Sequence, residues 1–214
     1  MWDPDVHVVP WEQLPLMRRL IATGVDYGTT HATSAEMLGQ SMDGKLYLVD
    51  EWRYDARDHG GRSLTDAEQS ARFRAWLDQP HLPSQPDMRP TWTPTDPAAA
   101  SFRAQLVKDG VPGVMNADND VAYGLPLMAS LLGSGDLLVS DRCQGFITEA
   151  PGYVWDPKAS EKGEDKPIKV EDDSLDAARY AVVTTESVWR DAPRDGLIVD
   201  TGALWDDDYR IDAV

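Results

Sequence analysis

The stretch "GVDYGTTHATSAEM", residues 24 to 37, decides how the rest of the chain is read. Asp26 closes a strand-like run, "ATGVDY", and is followed at once by Tyr27 and Gly28. A carboxylate in that place has three roles open to it. It can bond its own backbone in a turn ahead of the glycine, belong to a turn that holds a nucleotide phosphate, or point from a sheet surface at a bound cation. The flanking sequence supplies the context. "HATSAEMLGQ" reads as a second strand and "MDG" as a tight turn, and "KLYLVDEW" alternates Leu46, Leu48 and Asp50 against Tyr47, Val49 and Glu51. Three successive strands joined by short turns predict an antiparallel meander.

Beyond the meander, Thr65 and Glu68 have the spacing of a capping box, and Phe73, Trp76 and Leu77 follow at helical intervals, predicting a helix that ends near Gln79-Pro80. "PTWTPT" reads as a short strand running into Asp96-Pro97, followed by a helix with Ala99, Phe102 and Leu106 on one face and Gly110 at its end. "VPGVMNA" is strand-like, "YGLPLMASLLGSG" is a short apolar helix stopped by glycine, and "DLLVS" and "GFITEA" are expected to be further short strands. A charged loop from Lys158 to Lys169 precedes a last helix from Ser174 to about Arg190, with Leu175, Ala178, Val182 and Val183 available to a core. The order predicts an α/β fold with a mixed sheet and helices on both faces. Residues 1–20, rich in Trp and Pro, are expected to be an irregular lead-in or linker, residues 21–190 one domain, and residues 191–214 an acidic tail.

At 214 residues with 42% hydrophobic content the chain is long enough to bury a core, and no run approaches the roughly 18 apolar residues of a membrane span. Its start lacks the basic-then-apolar pattern of a signal peptide, which implies a protein that stays inside a cell. The lone Cys143 excludes a disulfide within the chain and a cysteine-rich metal site. A metal here is therefore expected on oxygen, which favours Mg2+, Mn2+ or Ca2+ over zinc. The net charge of −17 argues against a broad cationic surface for nucleic acid. Part of that charge is local, since residues 191 to 214 hold seven Asp against Arg194 and Arg210.

Four sets of acids are candidates for chemistry. Asp26 is the first. Asp96 is the second, although an Asp before Pro is also what a helix cap looks like. Glu171, Asp172, Asp173 and Asp176 crowd the entry of the last helix. The positive end of the helix dipole favours one or two of them, but so many carboxylates repel one another unless a cation sits among them. Asp173 and Asp176, three apart, can project from one side of the first turn. Glu51, on the third strand, is placed near Asp26, with a solvent-facing sheet residue as its ordinary reading. The histidines His7, His31, His59 and His81 show no ligand spacing and receive no catalytic role. The chain has no G-x-x-x-x-G-K-[ST] loop, no G-x-G-x-x-G and no G-x-S-x-G.

"GVDYGTT" resembles the first phosphate loop of actin and Hsp70-type ATPases, but those proteins need two related domains and a much longer chain. The simpler ribonuclease H-like fold shares the same first three strands. Together, "GVDYGTTHATSAEMLG…KLYLVDEW", "TPTDPAAASFRAQL", "GDLLVSDRCQGFITEAPGYVWD" and "DDSLDAARYAV" resemble the C-terminal nuclease domain of the large terminase subunit of tailed bacteriophages, over roughly residues 20 to 190. The most specific part is the "E…Y.WD" segment leading into the Asp-Ala-x-Arg-Tyr helix. The resemblance implies that Asp26, Asp96 and Asp176 are the catalytic metal-holding acids, with Asp173 as a further metal ligand and Glu51 and Asp172 as auxiliaries. It implies Mg2+ or Mn2+, two ions about 4 Å apart, activating a water on one side of the scissile phosphate and stabilising the leaving oxygen on the other.

The family's full subunit also carries an N-terminal packaging ATPase. This chain is thus expected to be an excised domain or a separately made nuclease half. The implied function is endonucleolytic cutting of concatemeric viral DNA during genome packaging, in the host cytoplasm on the packaging motor and away from any membrane. The implied partners are double-stranded DNA, the ATPase domain, the portal and the small terminase subunit. Lys108, Arg142, Lys166 and Lys169 are candidates for touching the DNA backbone. Two rivals stand beside this reading: a junction resolvase of the same fold, and an inactive domain that docks to packaging components through its acidic surface.

Overall fold

The computed structural model describes residues 2–28, 31–152 and 172–191. Seven strands form one mixed sheet: β1 (Val8–Val9), β2 (Met17–Asp26), β3 (Thr33–Ser41), β4 (Leu46–Tyr54), β5 (Thr93–Thr95), β6 (Val114–Asn116) and β7 (Leu137–Ser140), in the order β1-β7-β4-β3-β2-β5-β6. β2, β3 and β4 form the expected antiparallel meander, and β5, β6, β7 and β1 add in parallel at its two sides. This is the ribonuclease H-like arrangement, with helices on both faces.

One face carries α2 (Asp66–Leu77) and α3 (Ala100–Lys108), whose Phe73, Leu77, Phe102 and Leu106 pack with Val25, Met37 and Val49 of the sheet. α2 starts where the sequence places it: Thr65 and Glu68 exchange both bonds of the capping box. The other face carries α4 (Val121–Ser134), α5 (Gln144–Glu149) and α6 (Asp173–Thr184), followed by the short α7 (Glu186–Arg190). Every residue of α6 from Asp173 to Val183 is buried, because the helix lies between the sheet and its neighbours on that face. It rides directly on β2. A Cβ added to Gly24 would stand 2.0 Å from the Ala177 carbonyl and 2.6 Å from the Ala181 nitrogen, so strand and helix backbones meet where neither has a bulky side chain.

Two β-bulges decide which acids face α6. The pairing of β2 with β3 shifts between Leu20 and Ala22, so Leu20 packs with one core, Ile21 and Ala22 with the other, and Gly24 and Asp26 follow Ala22 onto the α6 face. A second shift in the pairing of β3 with β4 follows Leu48. It reverses the alternation expected for β4: Leu46 and Leu48 face α6, but Glu51, and not Asp50, continues their row. Asp50 turns to the opposite face, where its carboxylate accepts from His81 Nδ1 at 2.8 Å.

Two expectations are corrected. "GFITEA" is not a strand: Gln144–Glu149 is α5, with Cys143, Phe146 and Ala150 spaced to enter one core cluster. A short apolar run suits either state, and here Glu51 accepts from the Gly145 N–H at 2.6 Å, which satisfies a donor at the start of the helix. Nor are residues 1–20 an irregular lead-in. Pro4–His7 is a short helix capped by Asp3, Val8–Val9 pairs with β7, and Met17–Leu20 begins β2. His7 Nε2 lies 2.8 Å from the Leu132 carbonyl, tying this segment to α4. The loop expected over Lys158–Lys169 and all but the first residue of the tail lie outside the described residues. Among the described residues, no helix is long and apolar enough to cross a membrane.

Candidate metal centre

Asp26 ends β2, 8% exposed, with β5 beside it. Thr95 pairs with Val25, and the Asp96 N–H donates to the Val25 carbonyl at 3.0 Å, so Asp96 emerges next to Asp26. Asp96 does not cap α3, which starts only at Ala100 and has no side-chain cap. Its Oδ1 instead accepts from the Ala98 N–H at 2.9 Å in a turn ahead of the helix. From the other side, the first turn of α6 delivers the buried Asp173 and Asp176, and Asp172 precedes them. Arg179, one turn on and 2% exposed, holds Asp176 Oδ1 at 2.9 Å.

The arrangement strains Asp26 electrostatically. Burial, and then the charges of Asp176, Asp173, Asp96 and Asp172, push its carboxyl up to about 8. Burial, and then the charges of Asp26, Asp176 and Asp96, raise the neighbouring Tyr180 phenol. Asp26 is thus a carboxylate whose ionisation awaits a positive partner. One oxygen each from Asp26 and Asp173 and one ring nitrogen of His31 lie within 4.8 Å of one another. His31 Nδ1 stands 2.5 Å from Asp173 Oδ1. Two carboxylates and an imidazole, with further acids alongside, fit a divalent cation of the Mg2+ to Mn2+ type. The candidate donors include a ring nitrogen beside the oxygens that the composition led us to expect, because the fold sets His31 against Asp173.

Behind the cluster lies a polar network. Arg53 of β4 donates to Glu149 Oε1 at 2.7 Å, to Ser174 Oγ at 3.0 Å and to Asp173 Oδ2 at 3.3 Å. Glu149 Oε2 accepts from the backbone N–H groups of Ser174 and Leu175, at 2.8 and 3.2 Å, and so caps α6. Burial nonetheless raises Glu149 to about 7, against the pull of Arg53. Glu51 accepts from Ser174 Oγ at 2.5 Å and from the Gly145 N–H, and does not stand beside Asp26: β3 runs between their strands. In register, Glu51 faces Glu36, which faces Gly24. Glu36 is fully buried, and burial together with Glu51 holds its carboxyl well above the usual range.

The structure brings Asp26, Asp96, Asp172, Asp173 and Asp176 together. It does not bring the nominated cations to them. Lys108 is exposed at the far end of α3 from Asp96, about 13 Å along the helix. Arg142 lies 3.5 Å over the Trp11 ring and 3.9 Å from Asp50, on the opposite face of the sheet. Lys166 and Lys169 lie outside the described residues. Of the residues that sequence reasoning passed over, Arg179 was legible as the i+3 partner of Asp176. His31, Arg53 and Glu149 arrive through tertiary packing and carry no local signal.

No family profile matches the chain, and no curated protein does. Solved structures do. The chain is similar to the large terminase of a thermophilic bacteriophage, at 35% identity over 86% of this chain, with a TM-score of 0.74. It spans 44% of that relative, less than half its length. It is similar to the P22 large terminase nuclease domain at 19% identity, covering 87% of this chain and 90% of that one, with a TM-score of 0.63. The nuclease domain of the SPP1 large terminase, solved with bound Mn, matches at 15% identity over 83% of this chain and 96% of its own, with a TM-score of 0.55. The structural neighbours are large terminase proteins, nuclease domains among them, and they support a domain of the terminase large-subunit nuclease type.

Proposed function

We propose that this domain of the large-terminase nuclease type is a divalent-metal-dependent DNA endonuclease, cutting concatemeric viral DNA during genome packaging. The observation that carries the reading is the gathering of Asp96, Asp173, Asp176 and His31 around the buried Asp26, whose carboxyl is raised to about 8 by burial and the neighbouring acids. Asp26, His31 and Asp173 would hold one ion, and Asp96 and Asp176 stand where a second Mg2+ or Mn2+ would find ligands. Bound there, the ions supply an activated water and charge stabilisation at the scissile phosphate. The chain's own part is positional. β2 and β5 fix Asp26 and Asp96 on one rigid edge, α6 fixes Asp173 and Asp176, and Arg179 orients Asp176. Asp26 would give up its proton where a cation is held, and no side-chain nucleophile would be required.

The likeness to the thermophilic-phage large terminase supports a place on the packaging motor in the host cytoplasm, with the ATPase domain, the portal and the small subunit as partners and double-stranded DNA as substrate. The test is nicking and linearisation of supercoiled plasmid by the purified chain in EDTA, Mg2+ or Mn2+, beside Asp26→Ala. Cutting that needs the metal and is lost in the variant supports the proposal. Metal-independent cutting would overturn the metal mechanism, and no cutting with Mn2+ even when the ATPase domain is attached would leave an acidic docking domain in its place.

A further inference from the structure

Beside the metal centre is a half-open cavity of about 130 Å3, lined among others by Tyr27, His31, Tyr54, Ser63, Leu64 and Gln69. His31 is shared between this cavity and the candidate metal ligands. Gln69 is 3% exposed, and its Oε1 is buried without a hydrogen-bond partner. The orientation of its amide follows from its other end. Nε2 donates to Thr33 Oγ1 at 3.0 Å: the Thr33 hydroxyl gives its one proton to the Gly28 carbonyl and accepts from the Gly28 N–H, both at 3.2 Å, so only a lone pair is left to face Gln69. An orphaned buried acceptor costs about 1–3 kcal/mol, and a ligand bearing an N–H would relieve that cost.

We propose that this cavity is a subsite for one nucleobase of the substrate strand, extruded from the duplex at the nucleotide next to the scissile phosphate. The inference rests on the endonuclease reading for its substrate. A phosphate carries acceptors only and gives Gln69 Oε1 nothing, whereas every DNA base carries an N–H on its pairing edge. The lining includes the aromatic residues Tyr27 and Tyr54 and the apolar Leu64, which suit a ring better than a hydrated ion. The surrounding stretch is the chain's exception in charge: residues 53 to 74 hold five Arg against four acids, in a protein of net charge −17. Arg57 and Arg62 are exposed there, bridged to Asp55 and Glu68, and the Arg72 guanidinium lies 5.1 Å from the Tyr54 ring centroid. Such a rim lowers the repulsion that phosphates on either side of the extruded base would otherwise meet. Because any base offers an N–H, the subsite favours locally unpaired DNA without selecting a sequence.

Gln69→Leu removes the acceptor but also the brace on Thr33, so the cleaner variant is Ser63→Trp, which fills the cavity from an exposed loop position. Two readouts are needed. In the first, an abasic residue is walked through a DNA substrate and cutting in Mn2+ is timed. One position beside the cut slows the wild type about tenfold, and Ser63→Trp is slow on intact DNA and indifferent to that position. In the second, a short single strand carrying one fluorescent purine analogue is bound in Ca2+. The analogue responds to the wild type and not to Ser63→Trp. A flat abasic scan with normal cutting overturns the subsite and leaves the nuclease standing. A fluorescence response lost in Ser63→Trp, with no cutting by either protein even when the ATPase domain is attached, keeps the subsite and removes the nuclease. Neither response removes both.

Discussion

Arg53 joins Glu149 at 2.7 Å, and through this pair the third strand of the meander holds the start of the helix that delivers two acids of the centre. The same guanidinium reaches Asp173 at 3.3 Å. Glu149 in turn accepts from the first backbone N–H groups of α6. Strand, cap and candidate ligand therefore form one unit, with the positive charge supplied by Arg53.

Replacing Arg53 with Met keeps much of its volume and leaves Glu149 and Asp173 without that charge. Glu149 is then held neutral by burial to a higher pH, and Asp173 loses a bond that aims it. Removing one partner of a largely buried pair costs about 3 kcal/mol, and loss of an orienting contact behind a ligand costs about 10–100-fold in metal affinity. We expect Arg53→Met to melt several degrees lower and to need correspondingly more Mn2+ for half-maximal cutting, whereas Arg53→Lys recovers part of the stability and little of the metal affinity. Unchanged metal dependence in a folded Arg53→Met protein would remove Arg53 from the centre.

Gly24 makes a second prediction through geometry alone. With 2.0 Å to the Ala177 carbonyl, the methyl of Gly24→Ala has no flexible side chain to displace, so α6 must lift from β2 or the pair must separate. Overpacking of this kind costs about 1–3 kcal/mol or more. The same movement carries Asp173 and Asp176 away from Asp26. The expected result is a folded, less stable protein whose cutting falls by more than its folded fraction, measured by plasmid cleavage beside circular dichroism. Activity that merely tracks the folded fraction would mean the spacing of α6 from β2 is not critical.

The meander, the capping box at Thr65 and the buried last helix were legible in the sequence, because each rests on a local pattern: alternation, an i to i+3 pair, apolar periodicity. Asp26, Asp96, Asp173 and Asp176 were joined as a set by the resemblance and not by any one local pattern, and the fold brings the other three near Asp26. Asp50 and Glu51 were not separable. Which one faces α6 depends on a bulge whose extra residue leaves no mark in a run such as "YLVDEW". The start of the chain misled for a related reason: a two-residue strand such as Val8–Val9 is too short to show a period and exists only because β7 offers it an edge. α5 was hidden because the Gly145 N–H near its start is met by Glu51, far away in sequence. His31 reaches Asp173 across the fold, and spacing rules cannot see such a pairing.

Asp26 gives the last prediction, in which proton and cation compete for one carboxylate. Its ordinary value is 3.8 and burial among acids raises it to about 8, so between these values the folded protein holds a proton that the unfolded chain has lost. For this group, stability in EDTA is greatest at low pH and falls as pH rises through that window. The fall arises from forcing a charge into an acidic, desolvated pocket, and a divalent cation removes its cause. Asp26→Asn is uncharged at every pH and escapes the penalty. Between about pH 5 and pH 8, the wild type should lose melting temperature in EDTA relative to Asp26→Asn, by roughly 5 °C for about 2 kcal/mol in a domain of this size. Mn2+ should raise the wild-type melting point more at the upper end of the range, with release of a proton on binding, and should leave Asp26→Asn, which does not cut, little changed. If wild type and variant instead melt in parallel across the range, and Mn2+ stabilises both equally, Asp26 neither carries the raised carboxyl nor holds the ion.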